Sequence, residues 1–584
     1  MYRFVENYCH ISEFNFMEAS ITTPPAFNLR SYGHHAIFKA MGFTAKELSL
    51  PRIAVINSWS EQSPGHVHLR AVAEGVKAGI RMAGGMPFEI NVPGLCSVPH
   101  KLQSDMLYDM PQREAVLAAA ESSLYISWCD GWVGLASCDK IIPGLILAAL
   151  RLNRPFIFIG GGQMMPSDYE GERLGFVRGQ SIVQQKMMDK DKPLSIEEIG
   201  EIMQEITSCC ATGAGACNEM TTGNTLAVLT EGMGIALPGT STSPGVSAEK
   251  IWQAKETGEK ILELVKRNIR PRDIITRNSL KNAIAVDMAI CGGTNSVAHL
   301  QAYAHEAEIP LTLDDWDEVS RKVPALCAVA PSGPHVLYDY HKAGGTPSVM
   351  KRIEKYLDKT CITATGKTVG ENLADVTCDD TEVIKPLNDP IWPEGAIAVL
   401  KGNLAPRGAV VRHTVVENKD LLKRVYTARV FDSLEAAAEG TMQGKVKPGD
   451  ALVVRYQGPR GGPAFTECLS ALSMLKVKHI QDVIVVSDGR FSGFTQGYLS
   501  IGHVCPEAQV GGPLALLKDG DRINLDIPGR KLDVEVSEAE MKKRRAQWKP
   551  PSQSKVTGLL AIYAKLALQA DKGAGWPARW EDFD

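Results

Sequence analysis

Short apolar runs alternate with stretches of helical period over the first two-thirds of the chain. Arg52-Ile53-Ala54-Val55-Ile56-Asn57 is apolar without alternation, a polar loop follows at 58–66, and residues 69–83 carry a helical period. The unit recurs. A strand is predicted at 88–92, a loop at 93–100 and a helix at 112–123; then come the apolar run 132–135, the helix-like 145–150, and a strand at 155–159 ending in Gly160-Gly161-Gly162. Strands apolar on both faces and separated by helices predict a doubly wound α/β domain, a parallel sheet with helices on either side. Further helices are predicted at 197–207 and from Thr225. Residues 282–305 read as a strand and a helix around Gly292-Gly293-Thr294-Asn295, a turn that either holds a polar substrate or caps the helix.

The texture changes at 386–393, where three prolines and no period predict a linker. Beyond it, 397–400, 408–411, 451–456 and 483–486 read as short strands between Gly/Pro turns, with one helix at 467–475. This predicts a smaller, β-rich, barrel-like second domain. The expected organisation is an N-terminal extension at 1–29, an α/β domain at 30–385, a barrel-like domain at 394–535 and a helical tail at 536–584. Residues 555–569 of that tail are amphipathic and expected to cover a domain or subunit surface.

A chain of 584 residues exceeds what one core supports, which fits two domains. Its formal charge of -4, with 22% charged residues, gives no basic field for nucleic acid and no acidic tail. No apolar run reaches the roughly 20 residues of a membrane span; the candidate at 144–152 is broken by Arg151. Thirteen cysteines, including the neighbours Cys209 and Cys210, suit reduced thiols more than a disulfide framework. The expectation is a soluble protein of a reducing compartment, the cytoplasm or an organellar matrix. Residues 1–16 match no targeting signal.

Candidate chemistry concentrates at Cys138-Asp139-Lys140, between an apolar strand and a helix. That loop, at the carboxyl end of a strand, is where open α/β sheets bind ligands. Thiolates suit iron clusters, zinc or copper and carboxylates suit magnesium or manganese, so the adjacent pair could serve two ions. Lys140 would repel a cation as an ammonium, but a deprotonated buried lysine can take up carbon dioxide and become a carbamate oxygen ligand. The alternative is a buried cysteine beside a surface Asp-Lys pair. Cys217, in Gly213-Ala214-Gly215-Ala216-Cys217, is a core thiol or a second thiolate. In the second domain, the loop 458–463 leads to Glu467, and Ser487-Asp488-Gly489-Arg490-Phe491-Ser492-Gly493 follows a buried strand.

Together these motifs, with 366–375, 400–406 and 501–504, resemble the dihydroxy-acid and sugar-acid dehydratase family over about 30–548. The resemblance implies an iron-sulfur and magnesium lyase that converts a 2,3-dihydroxy carboxylate into a 2-keto-3-deoxy acid, working as a homodimer or homotetramer. It implies Cys138 and Cys217 as ligands of a 2Fe-2S cluster, Asp139, Lys140 as a carbamate and Glu467 as magnesium ligands, and Ser492 as the base at C2. Two positions depart. Gly65 stands where a further cluster cysteine is expected, and no acid stands near Cys96-Ser97, where the first magnesium ligand is expected. Either His66 or Cys96 completes a rewired cluster, or His66 is a polar loop residue and Cys96 a buried thiol. The rival reading is a paralogue without a cluster, acting as a binding or regulatory subunit. Motifs of both branches are present, so the branched-chain and sugar-acid substrates stay open.

Overall fold

The computed structural model describes residues 29–96, 103–188, 194–416, 418–493, 495 and 497–583. The extension expected at 1–29 lies outside these, apart from Leu29.

Strands β1 (Arg52–Asn57), β2 (Met86–Asn91), β3 (Gly131–Ala136) and β4 (Phe156–Gly160) form a fully parallel sheet in the order β2-β1-β3-β4. Val55 of β1 lies opposite Glu89 on one side and Val133 on the other. β3 and β4 are buried along their whole length, which is why their sequences are apolar without alternation. Helices Leu69–Met82 and Ala248–Arg267 pack on each other and on this sheet. Glycine sets that contact: a Cβ on Gly79 would lie 1.9 Å from the Lys255 carbonyl oxygen. Helix Asp109–Ser127 packs on Ile141–Leu152, which continues from β3. A small hairpin, β5 (Ser167–Tyr169) and β6 (Glu172–Leu174), follows.

The strand expected near 282 is absent, because Arg277–Ala289 is a helix and leads through a turn into the helix Asn295–Glu306. Arg277–Ala289 packs between Thr222–Gly232 and Leu313–Ser320 and is buried almost all round. A helix enclosed on every side loses its polar stripe, and its apolar run then reads like a buried strand.

The second domain is an eight-stranded, nearly closed barrel. Its strands are β7 (Ile397–Leu400), β8 (Gly408–Arg412), β9 (Lys423–Phe431), β10 (Asp450–Val454), β11 (Ile484–Ser487), β12 (Leu499–Cys505), β13 (Arg522–Asp526) and β14 (Lys531–Val534). They run in the order β14-β13-β9-β10-β11-β12-β8-β7, and a bridge between Lys401 and Lys531 ties the two ends. β9 to β12 are parallel, so the domain needs crossover helices where the sequence suggested simple turns. Two are present, Leu434–Met442 and Leu469–Val477, where one helix was expected. β10 shows how the two layers are fed: Ala451 and Val453 join the barrel interior, while Leu452 and Val454 pack with Leu434, Leu472 and Leu475 beneath the helices.

The tail forms helices Glu538–Gln547 and Gly558–Leu566. Tyr563 and Ala567 pack with Met110 and Ala298 of the first domain and Phe465 of the second, so the tail covers the seam between them. No helix among the described residues is long and apolar enough to cross a membrane.

Candidate active site

β3 ends at Ala136, and the chain turns through Ser137 to Lys140 before helix Ile141–Leu152 begins. The Cys138 carbonyl accepts from the amides of Ile141 and Ile142, both at 3.1 Å, which fixes the turn. Cys138 and Lys140 are buried, and Lys140 Nζ lies 2.5 Å from Asp139 Oδ2. The loop carrying Cys217 is stitched to its neighbours by backbone bonds, Gly215 N to Pro64 O and Ala216 N to Gly162 O, both at 2.8 Å. Gly215 has φ +157°, and a Cβ there would lie 2.2 Å from the Gln163 carbonyl carbon. Loops following β1, β3 and β4 thus meet around one cleft.

Three thiols share it. Cys138 is hydrogen-bonded to Cys96, and Ser63 Oγ lies 3.7 Å from Cys138 Sγ. The Cys96 contact, then burial, holds the Cys138 thiol well above its usual range. Burial, then Cys96, pushes Cys217 up to about 12. Both shifts favour the thiol over the thiolate, so metal binding at Cys138 and Cys217 would release protons. Gly65 leaves the room they use, since a Cβ there would sit 3.3 Å from Cys138 Sγ.

The opposite wall comes from the barrel. Glu467 and Arg490 are bridged as neighbouring strands would be, with Arg490 N to Thr466 O at 2.8 Å and Cys468 N to Arg490 O at 2.9 Å. Glu467 Oε1 accepts from Arg490 Nη1 at 2.8 Å and from Asn295 Nδ2 at 2.9 Å. Burial raises the Glu467 carboxyl above its ordinary range, with Arg490 and Lys140 opposing. Burial acts on Asp139 too, but there Lys140, then Arg490, prevail and hold the carboxyl low. Gly493 brings the Ser492 loop against helix Thr222–Gly232; a Cβ on it would lie 2.5 Å from the Thr222 amide nitrogen.

Between the walls lies a cavity that opens to solvent. Cys96, Cys138, Asp139, Cys217, Glu467 and Ser492 all line it. Lys140 is packed behind Asp139 and does not. His66 is also buried outside the lining. Its Nδ1 donates to the Ser58 carbonyl at 2.7 Å, and its Nε2 has no partner. Ser97, where an acid was expected, lies outside the described residues.

The donor set fits the two expected groups. Soft thiols gather about Cys96 and hard carboxylates about Arg490, within one cavity. Among the described residues no three His, Cys, Asp or Glu side chains close around a single ion. The sequence marks Asn295 only as part of a turn and does not mark Asp109, whose Oδ2 lies 3.3 Å from Arg490 Nη2. An acid in the first turn of a helix carries no signal beyond its favourable place on the helix dipole.

An α/β domain and a barrel that share a cleft of thiols and carboxylates define a two-domain enzyme architecture. Comparison with known proteins makes it specific. The dihydroxy-acid/6-phosphogluconate dehydratase N-terminal domain matches residues 50–372 and the corresponding C-terminal domain matches 382–574. The chain belongs to the dihydroxy-acid/6-phosphogluconate dehydratase family. It is 45% identical over 543 residues to a dihydroxy-acid dehydratase of Ignicoccus hospitalis, covering 92% of this chain and 97% of that one. It is 43% identical over 544 residues to a dihydroxy-acid dehydratase of Pyrococcus furiosus, and 44% identical over 544 to one of Acetivibrio thermocellus; each match covers 93% of this chain and 97% of the relative. The family places the chain among carbon-oxygen lyases and does not favour the binding-subunit reading.

Proposed function

We propose that this protein removes water from a 2,3-dihydroxy carboxylic acid, a branched-chain dihydroxy acid or a sugar acid, to give a 2-keto-3-deoxy acid. The observation that carries the reading is the meeting in one cavity of the soft donors Cys96, Cys138 and Cys217 with the hard donors Asp139 and Glu467. Cys138 and Cys217, with Cys96 as the third thiolate, would hold a 2Fe-2S cluster. Cys96 is preferred to His66 because it lines the cavity and contacts Cys138. Asp139 and Glu467 would hold magnesium from the cavity wall, and Lys140, beside Asp139, is proposed as a carbamate ligand on the resemblance alone. When bound, the two groups supply Lewis acidity, at the substrate carboxylate and 2-hydroxyl and at the departing 3-hydroxyl.

Ser492 faces the cavity and takes the C2 proton. A serine hydroxyl is too weak a base at neutral pH unless positive charge lies close, which a cation held by Asp139 and Glu467 in the same cavity would supply. Asn295 and Arg490 orient Glu467 toward the cleft, and Arg490, itself buried, keeps that orientation dry. A reducing compartment, cytoplasm or organellar matrix, is proposed because all twelve described cysteines are free thiols. Assembly as a homodimer or homotetramer is proposed on the resemblance.

The test is an anaerobic assay with Mg²⁺ against branched dihydroxy acids and aldonates, reading 2-keto acid. Formation of keto acid from one of these classes is expected. No product from either, with a fully loaded protein, contradicts the reading.

A further inference from the structure

We propose that Asp109 is a positioning residue of the dehydration site, holding Arg490 away from full pairing with Glu467 and so keeping the Glu467 carboxylate available to a hard cation. The inference rests on the reading that Glu467 and Asp139 take such a cation.

Asp109 opens the helix Asp109–Ser127 and is 5% exposed; Arg490 is fully buried and Glu467 is 4% exposed. A guanidinium facing a single carboxylate takes both oxygens in a bidentate fork and neutralises it. Here the fork is divided. Nη1 donates to Glu467 Oε1 at 2.8 Å, Nη2 to Asp109 Oδ2 at 3.3 Å, and Nε to the Phe465 carbonyl. Asp109 and Arg490 are 381 residues apart and come from different domains, so the pair is made only when the barrel sits on the α/β domain. Even with Lys140 counted as a cation, the cluster holds three acids, Asp109, Asp139 and Glu467, against two bases, Lys140 and Arg490. That surplus of negative charge suits a cation. It also bears on the acid missing near Cys96-Ser97, since Asp109 supplies a carboxylate from the next helix and acts through Arg490.

Removing the Asp109 charge frees Nη2 to close on Glu467, which then competes with the cation. The probe is Mn²⁺, titrated into the purified full chain, with free Mn²⁺ read by electron paramagnetic resonance. Asp109→Asn and Asp109→Ser are expected to weaken Mn²⁺ binding by about tenfold or more, the usual cost of losing an outer partner of a metal ligand. Asp109→Glu recovers part of the loss, and raised Mg²⁺ restores turnover in Asp109→Asn. Equal Mn²⁺ affinity in wild type and in whichever of the Asn and Ser variants folds overturns the inference, and leaves Asp109 a structural tie between domains. Wild-type protein that takes up no Mn²⁺ overturns the hard-cation reading, and this inference with it.

Discussion

Glu467 and Asp488 are both buried carboxylates on adjoining loops of the barrel, but their partners differ in kind. Asp488 accepts from the backbone amides of Gln457 and Ala508 at 2.8 Å and of Tyr456 at 3.3 Å, and its neighbour Glu507 accepts from those of Gly461 and Arg460 at 2.8 and 3.0 Å. Glu467 meets the side chains of Arg490 and Asn295 and lines a cavity open to solvent. The first pair satisfies backbone donors that would otherwise be stranded, which fixes the shape of the rim. Glu467 is held by groups that leave one face turned to the cleft. Burial with backbone partners marks a structural acid, and burial with charged side chains on a cavity wall marks a chemical one.

Substitutions should separate the two regions. The largest effect is expected at Ser492, on the cavity side of the comparison. Ser492→Ala should lower kcat by about 10²- to 10⁴-fold, the usual contribution of a general base, with the melting temperature unchanged. A fall in stability with activity retained would place Ser492 with the rim acids.

A smaller effect is expected from the rim, and it should be one of stability and pH. Burial pushes Asp488 up to about 6 and Glu507 up to about 7, with Asp488 adding to the Glu507 shift. Both bind protons more tightly in the fold than in the unfolded chain. Their contribution is therefore fully present below about pH 4 and lost as pH rises through 6 to 7. For Glu507 the loss is on the order of 3 kcal/mol. Thermal melts from pH 4 to 8 should show that decline, and Glu507→Gln should flatten it. An unchanged slope in the variant would mean the decline arises elsewhere.

The sequence made the α/β half of the molecule legible because its strands are buried on both faces and end in loops of distinct composition. Cys138-Asp139-Lys140 could be placed between a strand and a helix for that reason, and the structure puts it there. The barrel was legible as short strands but not as parallel ones, because strand direction leaves no mark in a run of four apolar residues. Cys96 and His66 could not be told apart, since the loops of both reach Cys138 and only the fold decides which side chain lines the cavity. Asp109 was invisible for a related reason. Its partner Arg490 is set against it only when the two domains close.

The central claim is that thiols and carboxylates of one cavity hold two different metal groups. Iron and acid-labile sulfide per chain, measured after anaerobic purification, test it most directly. About two of each are predicted for the wild type and for His66→Ala, as a 2Fe-2S centre requires, with loss of both in Cys96→Ser. A wild type without iron or sulfide even after reconstitution, or a full complement in Cys96→Ser, would contradict the account.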